Sequence, residues 1–159
     1  MQDLSLHILD LAENSLRAGA RSICITVTEE TEQDTLSVEI ADDGCGMEAE
    51  EADRAADPFV TTRTTRRVGL GLSLMAQAAQ ESGGTFSVRS TPGRGTTVTA
   101  LFRPSHIDCK PLGNMEETIT TLVAWNPEVE LTYCHCRNGA TLRFATADVR
   151  TRVPDLPLD

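Results

Sequence analysis

Apolar residues at Leu4, Ile8, Leu11, Ala12 and Leu16 recur at helical spacing, so residues 2 to 18 read as one amphipathic helix ended by Gly19. Two β-branched stretches follow, "SICITVT" at 22–28 and "TLSVEI" at 35–40, and the acidic "EETEQD" between them makes the solvated turn of a hairpin. The glycine-bearing loop "ADDGCGM" leads into a short acidic helix; "DPFVTTRTTRRVG" then shows no periodicity and reads as loop. Helical spacing returns over Leu70 to Glu81, stops at "SGG", and gives way to the strands "TFSVRS" and "TTVTALF" joined by "TPGRG".

From about Ser105 the pattern restarts. Asn114 and Glu117 form a capping box ahead of "ETITTLVAW", and two strands flank Asn138-Gly139, a strong hairpin signal. The expected organisation is therefore a main unit at 1–104 and an αββ extension at 105–159 packed on the same domain. This order predicts an α+β two-layer sandwich, a mixed sheet of at least four strands with helices on one face. No repeat or low-complexity segment interrupts it.

Composition narrows the classes. A length of 159 residues suits one domain with an appendage. The net charge of −10 opposes nucleic acid or anionic membrane as a partner, since both require a basic surface. No apolar run approaches the roughly 18 residues of a membrane span, and the N-terminus lacks a basic segment followed by an apolar one, so a cytoplasmic location is expected. Five cysteines at irregular spacing read as free thiols of a reducing compartment.

The first helix carries the first candidate chemistry. Asp10, Asn14 and Arg17 fall in one stripe with Glu13 beside it. A solvated face would need only generic charges. A metal-triphosphate site would use this particular set, because Mg²⁺ takes hard oxygen ligands and an Asn amide supplies one without repelling a polyanion. A carboxylate one turn earlier can orient a water toward the γ-phosphate, and Arg17 can neutralise phosphate charge.

Two glycine loops extend the picture. "DDGCGM" places Asp42 in a D-x-G-x-G pattern after a strand, where backbone approaches a planar ligand and a carboxylate can accept from an exocyclic amine. "RVGLGLSL" sets Gly69 and Gly71 at a helix start, whose free N–H groups favour phosphate. No P-loop pattern is present, and no lysine precedes Lys110, so arginines must meet the phosphates.

The order of Asn-bearing helix, hairpin, D-x-G-x-G, Thr/Arg-rich loop, G-x-G helix and "GRGTTV" return strand resembles the GHKL superfamily of ATP-binding domains, which takes in gyrase B, the heat-shock chaperone, histidine kinases and MutL. The resemblance covers about residues 1 to 103. "DLAENSLRAGA" looks like its N box, which implies that Asn14 is the Mg²⁺ ligand and that Arg17 stands at a phosphate-binding position. By the same resemblance Asp42 binds the adenine amine, Gly44 and Gly46 form the first glycine box, and Gly69 and Gly71 form the second. Met47 and Leu70 belong to these boxes and count with them as nucleotide-binding. "PFVTTR" implies a γ-phosphate contact from Arg63, and Thr96 matches the threonine near adenine.

Asp10 occupies the place where hydrolytic members carry Glu and kinases usually carry Asn, which implies a catalytic carboxylate, with Glu13 as a possible substitute around the helix. With nine residues ahead of Asp10 there is no room for a phospho-acceptor helix, so a self-contained histidine kinase is not expected. His7 is read as a polar-face histidine. Strands that precede the N box in relatives have no counterpart, so a partner or homodimer is expected to cover the first helix or a sheet edge. Cys134 and Cys136 share one strand face and invite a metal reading with Cys109, but buried strand thiols suffice. More loosely, the whole chain also looks like small stand-alone ATP-binding proteins found alongside iron-only hydrogenase genes.

Together these imply a protein that binds ATP and Mg²⁺ and either hydrolyses the nucleotide or phosphorylates an unidentified protein partner. The alternative is a non-catalytic module in which ATP orders residues 56 to 69 and so controls partner binding.

Overall fold

The computed structural model describes residues 3–55 and 69–146. Helix α1 (Leu4–Arg17) starts at Asp3, whose carboxylate accepts from the Leu6 amide at 3.2 Å. It buries Leu4, Ile8, Leu11 and Ala12, the apolar stripe that its spacing predicts. Strands β1 (Ser22–Glu30) and β2 (Thr35–Asp42) form the expected hairpin. They outrun the apolar stretches because Glu29 and Glu30 still pair with Leu36 and Thr35 in the ladder.

Helix α2 (Ala49–Ala55) is the short acidic helix, and α3 (Gly69–Glu81) precedes the hairpin of β3 (Thr85–Thr91) and β4 (Gly95–Phe102). Asn114 then caps α4 (Met115–Trp125): its Oδ1 accepts from the Glu117 amide at 2.9 Å, as the capping box requires. The hairpin of β5 (Glu130–Arg137) and β6 (Ala140–Ala145) turns on Asn138 and Gly139, both at positive φ, as a two-residue primed turn demands.

The six strands of the described residues make one sheet in the order β3-β4-β2-β1-β5-β6. Every pairing is antiparallel except β1 with β5, where Ser22 lies against Glu130 and Val27 against His135. Residues 115–145 therefore extend the sheet on the β1 side, opposite the β3–β4 hairpin. Ile23, Ile25, Val27, Val38, Ile40, Ala100, Phe102, Leu131 and Tyr133 alternate onto the face that packs in one cluster with α1, α3 and α4. The opposite face is polar, with Thr26, Glu39 and Thr99 in one row across the sheet. Each fully buried Ile or Leu contributes about 1.5–3 kcal/mol, so the alternation fixes the register firmly.

α1 lies between α3 and α4, and this overturns one reading of the sequence. His7 is not a polar-face residue: it is 1% exposed, and among the described residues neither ring nitrogen has a hydrogen-bond partner. The reason is a second wall. The carbonyls of Pro111 and Leu112 accept from the amides of Leu4 and Ser5, which draws that segment along the start of α1. Burial first, then the nearby Lys110 charge, pushes the His7 pKa down to about 4.

His135 points to the helix side of the sheet, within 2.9 Å of the Tyr133 hydroxyl and 2.6 Å of Glu29 Oε2, and Cys134 and Cys136 alternate to the other side. Among the described residues no group of three or more His, Cys, Asp or Glu is placed to hold a metal, and no helix is long and apolar enough to cross a membrane.

Candidate functional site

A cavity of about 310 Å³ opens between α1, the end of β2, the turn after it, and β4. Leu11, Ile40, Leu72 and Val98 give it apolar lining, and Asn14, Ser15, Arg17, Asp42, Glu51 and Thr96 give it polar lining. Gly46 and Met47 of the turn after β2 line it as well. An apolar slot with a few convergent polar groups is the usual form of a small-molecule site.

Asp42 is held from two directions. Ser15 Oγ donates to its Oδ2 at 2.6 Å, and the Gly44 amide donates to its Oδ1 at 2.8 Å. The two bonds hold the carboxylate in place with both oxygens accepting. Next to it, Asp43 accepts from the amides of Ser22 and Arg21, which hold its pKa below the usual carboxylate range and tie the turn to the start of β1.

The turn is shaped by glycine. Gly46 has φ +74, and a Cβ there would stand 2.1 Å from the Thr91 carbonyl oxygen, so this position takes no side chain. The Met47 amide donates to Ser90 Oγ at 2.7 Å, which fastens the turn to β3. Ser90 Oγ also donates to the Gly95 carbonyl at 3.0 Å and lies 2.8 Å from Thr96 Oγ1. Thr96 sits directly across from Asp42 in the β2–β4 ladder.

On the α1 side of the cavity the Arg17 guanidinium donates to Asn14 Oδ1 at 2.6 Å and lies 3.7 Å from Glu13. Its side chain is 68% exposed and so is free of steric confinement. Gly69 begins α3, and Gly71 is buried where α3 crosses α1: a Cβ on it would lie 3.2 Å from Asp10 Cβ and 3.6 Å from Asn14 Nδ2. Asp10 thus stands at the α1–α3 crossing, off the wall of the cavity, and has no hydrogen bond or ion pair among the described residues. Arg63 lies outside the described residues, and of Leu70 only its place in α3 is described.

The structure therefore brings Asn14, Arg17, Asp42, Gly46, Met47 and Thr96 around one cavity and sets Gly71 and Asp10 beside Asn14. Gly44 backs the wall instead, with its amide on Asp42. Ser15 and Ser90 escape a sequence reading. Ser15 carried a signal, since it is a hydroxyl one turn after Leu11 on the buried stripe and needs a polar partner there.

Residues 2–106 match the family model for histidine kinase-, DNA gyrase B- and HSP90-like ATPases, and the chain belongs to that family. Among curated relatives it is 32% identical over 112 residues to the non-motile and phage-resistance protein of Caulobacter vibrioides, covering 65% of this chain and 13% of that one. It is 31% identical over 107 residues to the sensor histidine kinase ZraS of Escherichia coli, covering 67% and 23%. With the sensor protein kinase FleS of Pseudomonas aeruginosa the identity is 34% over 110 residues, covering 69% and 27%. The chain thus spans at most about a quarter of the length of these relatives.

Among solved structures, the N-terminal domain of a DNA repair protein superposes with a TM-score of 0.60 at 18% identity, covering 89% of this chain and 51% of that one. The Aquifex aeolicus MutL ATPase domain complexed with ADP superposes with a TM-score of 0.54 at 17% identity, covering 96% and 68%. The α+β sandwich expected from the sequence is the fold of these domains.

Proposed function

We propose that the chain binds ATP with Mg²⁺ in the cavity beside α1 and either hydrolyses it or passes its γ-phosphate to a separate protein. The observation that carries this reading is the fixed Asp42 carboxylate in a largely apolar cavity that Asn14 and Arg17 also line. An apolar slot with an acceptor suits a purine amine, and an amide with a guanidinium suits a metal-bound polyphosphate. The ADP bound in the MutL ATPase domain of the same fold and the kinase activity named for the relatives agree with it.

In this reading Asp42 and Thr96 accept from the base, with Gly44, Gly46 and Met47 shaping the turn beside it. Asn14 would hold Mg²⁺ through Oδ1, which is a hard oxygen donor and fits that ion, once Arg17 turns away to phosphate. The bound ion supplies charge neutralisation at the phosphates. The α3 start at Gly69, Leu70 and Gly71 offers backbone N–H groups to phosphate oxygens, and Arg63 adds a second guanidinium. Asp10 orients the attacking water or acceptor hydroxyl.

A γ-³²P-ATP assay on the purified chain tests this, with release of labelled phosphate or labelling of a protein from the native cell as the expected result. Neither outcome, with ATP still bound, would leave the second reading. That reading is a nucleotide-gated module whose ATP-dependent surface recruits a partner or a second copy, and the place of Asp10 off the cavity wall favours it. Partner affinity that depends on ATP supports it.

A further inference from the structure

A hydroxyl has one proton to give and two lone pairs to offer, so three partners exhaust it. Ser90 Oγ has three. The Gly95 carbonyl, at 3.0 Å, can only accept and takes the proton. The Met47 amide, at 2.7 Å, can only donate and takes one lone pair. One lone pair is left for Thr96 Oγ1 at 2.8 Å, and Thr96 can use it only by donating.

The consequence falls on the cavity. Thr96 spends its proton on Ser90, so its oxygen turns lone pairs alone toward the slot that it lines. Asp42, its cross-strand neighbour, is likewise an acceptor only, with its two oxygens held by the Ser15 hydroxyl and the Gly44 amide. Two fixed acceptors stand side by side at the base end. A ligand that presents an amino group there gains hydrogen bonds. One that presents a carbonyl oxygen there meets like dipoles and leaves buried acceptors unpaired, the arrangement that discriminates most strongly between close analogues.

We propose that Ser90 is a positioning residue: by fixing the direction of the Thr96 hydroxyl it makes the Asp42–Thr96 pair select a 6-aminopurine nucleotide and reject a 6-oxopurine one. This rests on the nucleotide reading above and adds to it a specificity residue that does not touch the ligand. Ser90 lies on β3, outside both glycine loops and outside the cavity wall. Without its oxygen the Thr96 hydroxyl is released to rotate, and as a donor it can serve a carbonyl as well as it formerly served an amine.

The test compares binding of ATP and ITP, which differ at the 6-position of the purine, by isothermal titration on the whole chain with Mg²⁺ present. The unchanged chain should prefer ATP by at least about tenfold, the worth of roughly one hydrogen bond to a fixed partner. Ser90→Ala should reduce that ATP/ITP ratio by about tenfold, mainly by strengthening ITP, while Ser90→Thr, which keeps the hydroxyl, should restore it. Thr96→Val should lower the ratio to the same extent, and the double substitution should lower it no further.

Equal weakening of ATP and ITP by Ser90→Ala would assign Ser90 a structural role in tethering Met47 and overturn the proposal, as would an unchanged ratio. If Ser90→Ala fails to fold by circular dichroism, Ser90→Cys decides, since a thiol is a much weaker hydrogen-bonding group: a lowered ratio supports the proposal and an unaltered one overturns it. A parent chain that binds neither nucleotide overturns the nucleotide reading and this proposal with it. Binding of ATP by the parent separates the two failures.

Discussion

Ser15 and Asp42, one on α1 and one at the end of β2, meet through a 2.6 Å hydrogen bond that links the helix bearing Asn14 to the start of the turn beside the cavity. The contact fixes the carboxylate against the cavity wall. It also ties Asp42 to the neighbour of Asn14, since Ser15 follows Asn14 directly.

Ser15→Ala removes the donor from Asp42 and leaves a carboxylate oxygen facing an apolar gap. Stability should fall by about 1 kcal/mol, and ATP affinity should drop by about tenfold because Asp42 is no longer held in place. Urea unfolding and nucleotide titration measure the two effects. An affinity loss without any stability loss would mean that the bond forms only with ligand.

Asn14→Ala should remove the Mg²⁺-dependent part of ATP binding and leave the fold intact, because the amide lines the cavity and is only half-buried. Titration of ATP with Mg²⁺ and with EDTA separates the metal-dependent part. Mg·ATP binding as tight as that of the parent would rule out Asn14 as the ligand.

Asp10→Asn tests the enzyme reading. ATP binding should persist, since the amide is nearly isosteric and relieves repulsion toward the triphosphate, while turnover should fall by about 10² to 10⁴. Glu13→Gln is the control and should lose far less, since Glu13 is engaged with Arg17 on the outer side of the helix. Wild-type turnover in both variants would return Asp10 to the rank of a solvated helix charge.

His7 gives the fold an acid-sensitive point. Its folded pKa of about 4 lies below the 6.5 of a solvated histidine. Between those limits the unfolded chain binds a proton that the folded chain refuses, so stability falls as pH drops through that window and levels off below it. The loss is on the order of 3 kcal/mol. His7→Leu should be more stable than the parent at pH 7, because two orphaned ring nitrogens vanish, and its advantage should widen at pH 4.5. Urea midpoints at the two pH values show whether the gap grows; a constant gap would mean that His7 does not titrate in this range.

Gly46→Ala should destabilise by at least about 2 kcal/mol, the sum of a left-handed backbone cost and a clash with the Thr91 carbonyl. Thermal unfolding reads this directly. Gly93→Ala, also at positive φ but with open space around its Cβ position, is the control and should cost only the backbone part.

The elements were legible wherever chemistry and periodicity agree locally. The stripe Leu4-Ile8-Leu11, the alternation Ile23-Ile25-Val27 and the turn at Asn138-Gly139 each depend on neighbours in the chain, and the structure has all three. Asn14, Asp42 and Thr96 could be placed at one site by family resemblance, and the structure lines one cavity with them. What stayed hidden depends on partners far along the chain. His7 has a polar side chain on a polar stripe, and only the return of Pro111 and Leu112 to α1 buries it. Ser90 is an ordinary alternating serine until Met47 and Thr96 arrive from two other segments. The sheet order was equally out of reach, since nothing local states that β5 chooses β1 as its neighbour.

That choice has a consequence during synthesis. β1 leaves the ribosome early and finds β2 at once, but its other edge waits for β5, whose last residue, Arg137, follows more than a hundred positions later. Through that interval the nascent chain displays a strand with unmet amides and carbonyls beside Ile23, Ile25 and Val27, which is the kind of edge that recruits strands from other molecules. A shortened gene that stops after β4 would make that interval permanent, so its product should collect in inclusion bodies even though every motif of the nucleotide site has been translated.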